Sequence, residues 1–124
     1  LDQVTFALLL LVGFQIKHFI CDGPLQTLSM VLAKSHYGRP LGVAHAAIHG
    51  VGTLAVFLLG GLSSALILAL VDFVIHYHID FAKENLVKRM GWGTDKGPFW
   101  WALSGDQALH QLTYLGLVWF CLKP

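Results

Sequence analysis

The chain has 124 residues, 56% of them hydrophobic and only 12% charged, with a net charge of +1 and a mean hydropathy of +0.65. That balance excludes disordered, collagen-like and coiled-coil chains, which need high charge or a compositional repeat. Eight Lys and Arg that form no aromatic-interleaved stripe argue against nucleic acid as a partner, and two cysteines, Cys21 and Cys121, are too few for a disulfide framework.

Four apolar runs, about 4–22, 41–60, 63–82 and 100–122, match the roughly 20 residues that cross a bilayer. The first lacks the basic start and the small-residue cleavage site of a signal peptide and carries His18 and Asp22, so it reads as structure. Asp22, Gly23 and Pro24 end it, because proline has no N–H for the helix ladder. Leu25, Leu28, Val31 and Leu32 then recur at helical spacing ahead of Lys34 and Arg39, which predicts a short interfacial helix. Gly60, Gly61, Ser63 and Ser64 predict a tight turn. Residues 84–98 read as one long polar loop, with Gly91, Gly93, Gly97 and Pro98 opposing regular structure. The expected fold is an all-α integral membrane four-helix bundle, up-down-up-down, in one domain over residues 1–124.

Lys34 and Arg39 lie between the first two spans, and Lys83, Lys88, Arg89 and Lys96 between the last two. By the positive-inside bias both connections face the cytoplasm and both termini do not. Trp92, Trp100, Trp101 and Trp119 fall near span ends, where amphipathic rings favour the headgroup region. Lys17 is expected to snorkel towards the interface.

Against this apolar background, His18, Asp22, His45, His49, Asp72, His76, Asp80, Asp106 and His110 fall inside the spans. A charged group at the bilayer centre costs about 2.5 to 3.5 kcal/mol on insertion scales, so these residues need partners. Their spacing supplies them. His18 and Asp22, His45 and His49, His76 and Asp80, and Asp106 and His110 are each four residues apart, which puts both side chains of a pair on one helix face, roughly 6 Å apart along the axis. One such pair is more commonly an interhelical hydrogen bond. Four pairs at one depth, all within about 15 Å of the cytoplasmic boundary at 1.5 Å per residue, point to a shared metal site.

Imidazole with carboxylate suits one or two divalent ions, Zn, Fe or Mn, and the lack of clustered cysteine argues against an iron–sulfur cluster. Haem would need axial histidines without an aspartate one turn away. Asp72 and Gln107 are candidates for a general base or for groups that orient ligands, as Gln26 and Gln111 are for the second role. His78 points about 200° away from His76 and leaves the shared face, and His36 reads as a solvated loop residue.

The run His18-x-x-x-Asp22-x-x-x-Gln26-x-x-x-Met30-x-x-x-Lys34, then His45-x-x-x-His49, His76-x-x-x-Asp80-x-x-Lys83 and Asp106-Gln107-x-x-His110, resembles the bacterial and phage membrane family called domain of unknown function 3307. The resemblance covers residues 18 to 110 in order. It implies a multi-pass protein of the bacterial inner (cytoplasmic) membrane and leaves the reaction open. Two functions are then in view. One is a metal-dependent hydrolase acting on a lipid-like, ester or phosphoryl substrate. The other is a non-catalytic accessory subunit of a larger membrane complex with a structural His/Asp cluster, for which Gly42, Gly50, Gly52 and Gly60 offer small-residue packing faces.

Overall fold

A computed structural model describes residues 1–124 as five helices without strands: α1 (Gln3–Asp22), α2 (Leu28–Ala33), α3 (Pro40–Leu59), α4 (Ala65–Met90) and α5 (Gly97–Leu122). Asp2 caps α1, with Oδ1 accepting from the Thr5 N–H at 2.9 Å and Oδ2 from the Thr5 hydroxyl at 2.6 Å. These bonds favour its ionised form and hold its carboxyl below the usual carboxylate range. Thr27 caps α2 by accepting from the Met30 N–H. Gly91 ends α4 in the left-handed region at φ 64°, which an L side chain rarely adopts, with Lys88 and Arg89 in the last turn beside the negative end of the helix dipole.

The long loop expected over 84–98 is much shorter. Glu84, Asn85, Leu86, Val87, Lys88 and Arg89 continue α4, since nothing before Gly91 breaks the ladder, and only residues 91–96 connect it to α5. Gly97 and Pro98 open α5 instead of preventing it, because proline is tolerated in the first turn, where its missing N–H has no intrahelical partner to lose.

Each long helix packs on two others, α1 on α3 and α5, and α4 on α3 and α5, which closes a ring, while α2 lies against α3. Gln3 Nε2 donates to Leu122 O at 3.0 Å, so the start of α1 meets the end of α5. At this end Leu10, Phe14, Phe57, Leu68, Tyr114 and Leu117 form an apolar core, with Phe14 stacked on Tyr114 at 4.7 Å and edge-on to Phe57 at 5.4 Å.

The interior is more polar, and the outside more apolar, than in a water-soluble bundle. Ten of the 24 buried residues are polar or charged, while Leu8, Leu9, Val12, Leu66, Ile67 and Leu112 are among many large apolar side chains on the outside. Three helices, α1, α3 and α4, are long and apolar enough to cross a membrane. The fourth expected span, α5, has 26 residues but is diluted by Ser104, Asp106, Gln107, His110, Gln111 and Thr113 and does not join them.

Two lysines are drawn inside. Lys17 does not snorkel as expected: it is 5% exposed and ion-paired with Asp72 at 3.0 Å. Lys34 is 7% exposed and 3.2 Å from Asp80 Oδ2. In both cases a carboxylate on α4 supplies the counter-charge that makes burial tolerable.

Candidate metal centre

The helical period delivers the i, i+4 pairs to the interior of the ring, where two groups of donors form. Asp22, His45, His49 and His76 bring one ligand atom each to within 4.8 Å of one another, as do His76, Asp80 and His110. His76 belongs to both. The imidazoles of His49, His76 and His110 stack, with ring centroids 3.7 and 3.9 Å apart.

The donor spacings have a chemical meaning. Asp22 Oδ1 lies 2.8 Å from His49 Nε2 and 3.2 Å from His45 Nε2. Asp80 Oδ2 lies 3.4 Å from His76 Nε2 and 3.6 Å from His45 Nε2, and its Oδ1 is 3.0 Å from His110 Nε2. Donors about 2.1 Å from a common ion stand roughly 3.0 to 3.4 Å from each other in octahedral and tetrahedral geometry respectively. Moreover, both ring nitrogens of His45 and of His76, Nδ1 of His49 and Oδ1 of Asp106 are buried with no hydrogen-bond partner, and Oδ2 of Asp80 has only its ion pair with Lys34. An unmatched buried polar group costs about 1 to 3 kcal/mol, and so many in one place need a shared partner. His49 Nε2 and His110 Nε2 are hydrogen-bonded to Asp22 Oδ1 and Asp80 Oδ1, whereas the nitrogens of His45 and His76 face carboxylate oxygens at these distances without hydrogen-bond alignment, which fits a cation between them.

The remaining expected residues take distinct places. Asp106 Oδ1 is 3.4 Å from His110 Nε2, at the edge of the second group. His18 stands at the rim, with Nδ1 2.8 Å from the Tyr114 hydroxyl, Nε2 2.8 Å from Gln107 Oε1, and the same Nε2 3.1 Å from Asp22 Oδ2. Gln107 also donates from Nε2 to Asp106 Oδ2 at 3.0 Å. Asp72 lies outside both groups, accepting from Lys17 Nζ and from the Thr53 hydroxyl. Gln26 accepts from Lys34 Nζ at 2.7 Å and donates to Asp22 O at 2.9 Å, which steadies the end of α1. Gln111 accepts from Gln15. His78 is exposed and bonds Tyr37 and its own helix at Val74 O, as its angular position requires. His36, also exposed, meets Lys88 Nζ at 3.0 Å.

Sequence reasoning gave no place in the site to Lys17, Thr53 and Tyr114, and tied Lys34 to it only within the family run. Two of them carried a readable signal. Thr53 extends the row His45, His49 by four residues, and Tyr114 extends the row Asp106, His110 by four, so both continue a face already identified.

The family described as "Protein of unknown function (DUF3307)" matches residues 8–122, which span all four rows of donors. The chain belongs to this family. No curated protein and no solved structure is significantly similar to the chain. Family membership therefore covers the site as a whole and leaves its chemistry to be read from the residues.

Proposed function

We propose that the chain is a membrane-embedded four-helix bundle that holds one or two divalent ions, Zn, Fe or Mn, near the cytoplasmic face of a bacterial inner membrane, and that it is a metal-dependent hydrolase of lipid-like ester or phosphoryl substrates. The observation that carries the metal centre is the set of buried, partnerless ring nitrogens of His45 and His76 facing the carboxylates of Asp22 and Asp80. The apolar outer surface and the three helices of spanning length and composition support the membrane placement. In this arrangement α5 is the fourth crossing, its polar residues turned towards the ring.

Asp22, His45, His49, His76, Asp80, Asp106 and His110 would hold the ions. When bound, such ions polarise an ester or phosphoryl oxygen and lower the pKa of water at the site. The chain's own contribution is position and access. A groove of about 600 Å³ between α4 and α5, lined by Val74, Ile79, Leu86, Ala102 and Leu109, reaches Asp106 and Lys83. Its apolar wall suits an acyl chain, and Asp106 joins the groove to the donor groups. Lys83, although bonded to Glu84, sets a cation at the same groove, where a phosphoryl or carboxylate headgroup would be drawn.

Elemental analysis of detergent-purified protein tests the centre. The expected result is at least about one equivalent of a transition metal, lost in His76→Ala and kept in His78→Ala. Less than about a tenth of an equivalent in the wild type, or equal loss in both variants, would overturn it. Turnover of a long-chain p-nitrophenyl ester or phosphate in micelles, abolished by His76→Ala, is expected of the hydrolase. A metal-loaded protein that cleaves neither would leave a binding protein and remove the enzyme.

A further inference from the structure

Beside the donor groups runs a chain of hydrogen bonds whose direction is determined atom by atom. Asp106 Oδ2 accepts from the Gln107 side chain, so the nitrogen of that amide is fixed on the Asp106 side and its oxygen on the other. Gln107 Oε1 can only accept. His18 Nε2, 2.8 Å away, must therefore carry the proton, and it turns the same proton-bearing nitrogen towards Asp22 Oδ2 at 3.1 Å. His18 Nδ1 faces the Tyr114 hydroxyl at 2.8 Å, and that hydroxyl receives a proton donor from Lys17 Nζ at 3.2 Å. An ammonium only donates, so Tyr114 accepts from Lys17 and gives its own proton to Nδ1, which leaves both ring nitrogens of His18 engaged. Lys17 is anchored at its other side by Asp72, which also accepts from Thr53.

Building on the proposed metal centre, we infer that His18 is not a ligand but a positioning residue: with Gln107 it clamps one oxygen each of Asp22 and Asp106, and the Lys17–Tyr114 pair locks its tautomer. With Nε2 protonated and Nδ1 occupied, His18 has no lone pair to give an ion. The carboxylates divide their oxygens accordingly. Asp22 turns Oδ2 to His18 and Oδ1 to His45 and His49, while Asp106 turns Oδ2 to Gln107 and Oδ1, otherwise unpartnered, towards His110. Asp22 stands in one donor group and Asp106 at the edge of the other. One clamp bridging α1 and α5 thus sets both ends of the centre. Groups that orient metal-ligating side chains act in this way, and their loss lowers affinity without removing a donor.

The test is a double-mutant cycle on metal affinity, using chelator-stripped full-length protein in detergent titrated with Zn2+, Fe2+ or Mn2+. Tyr114→Phe keeps the ring that stacks on Phe14 and removes only the hydroxyl. Tyr114→Phe and His18→Ala are each expected to weaken binding by about 10- to 100-fold, and the double variant to be no weaker than His18→Ala alone, because Tyr114 acts through His18. X-ray absorption at saturating metal should give the same imidazole count for His18→Ala as for the wild type. An imidazole lost in His18→Ala, an unchanged affinity in Tyr114→Phe, or losses that multiply in the double variant would each overturn the clamp while leaving the metal centre standing. A wild type that binds none of Zn2+, Fe2+ and Mn2+ would instead overturn the centre itself, and the clamp with it.

Discussion

Lys17 reaches Asp72 only because Gly52 lets its stem pass. A Cβ at Gly52 would sit 2.5 Å from Lys17 Cγ and 3.2 Å from Cε, closer than van der Waals contact allows. The stem has little freedom to move aside, since Nζ is held by Asp72 and Tyr114. Gly52→Ala should therefore destabilise the protein by about 1 to 3 kcal/mol, as overpacking of a filled interior does. Gly116, where an added Cβ meets nothing within 4 Å, provides the contrast. Gly116→Ala should leave stability unchanged or raise it by up to about 1 kcal/mol through the helix preference of alanine. Thermal unfolding of both variants in the same detergent checks this, and equal midpoints would remove the close approach as the reason for glycine at 52.

At the scale of the element, α2 is the least self-sufficient part of the fold. It has six residues, none of them buried, far below the roughly 12 to 15 at which an isolated helix becomes marginally stable. Its position rests on packing against α3 and on Lys34 at its C-terminal end, which joins Asp80 and Gln26 inside the ring. Lys34→Met keeps an apolar stem of similar length but leaves Asp80 Oδ2 without its cation, a change of about 3 to 5 kcal/mol for a buried pair. Backbone amide exchange over residues 28–33 should accelerate in this variant well before that of α5. Uniform exchange in all helices would show that α2 is held by its packing on α3 alone. α4 and α5 make the complementary point. α4 continues to Gly91 because no breaker stops it earlier, and α5 can begin at a Gly-Pro pair because the first turn needs no N–H there.

For the whole molecule, the ring of helices gives the proposed bundle two unlike ends. The polar cluster lies towards the connections at 23–39 and 91–96, and the apolar core lies towards the termini, where Gln3 meets Leu122. On the membrane placement proposed above, single cysteines at exposed Lys88 and Lys123, in a background with Cys21 and Cys121 replaced by serine, should label from opposite sides, Lys88 from the cytoplasm. Lys34 would be a poor reporter, since it is buried. Labelling of both positions from one side would dismantle the four-crossing arrangement. An inverted result would keep the bundle and reverse its orientation.

The sequence by itself determined the helical class, the approximate extents of α1 and α3, the family, and the faces on which His45 and His49, His76 and Asp80, and Asp106 and His110 lie. A helix of fixed period carries side chains four residues apart on one face whatever surrounds it. That local rule also accounts for His78, which the same period turns outward. What only the tertiary structure decided are pairings between distant segments: Lys17 with Asp72, Lys34 with Asp80, and Tyr114 and Gln107 on either nitrogen of His18. Composition reads a lysine near a helix end as a solvated charge, and an i, i+4 histidine as the equal of its neighbours. Whether the lysine is drawn inside depends on a carboxylate brought to it by another helix, and whether a histidine has a lone pair free depends on which donors and acceptors already occupy its two nitrogens. No spacing along one helix contains that information, because it is created when the helices pack.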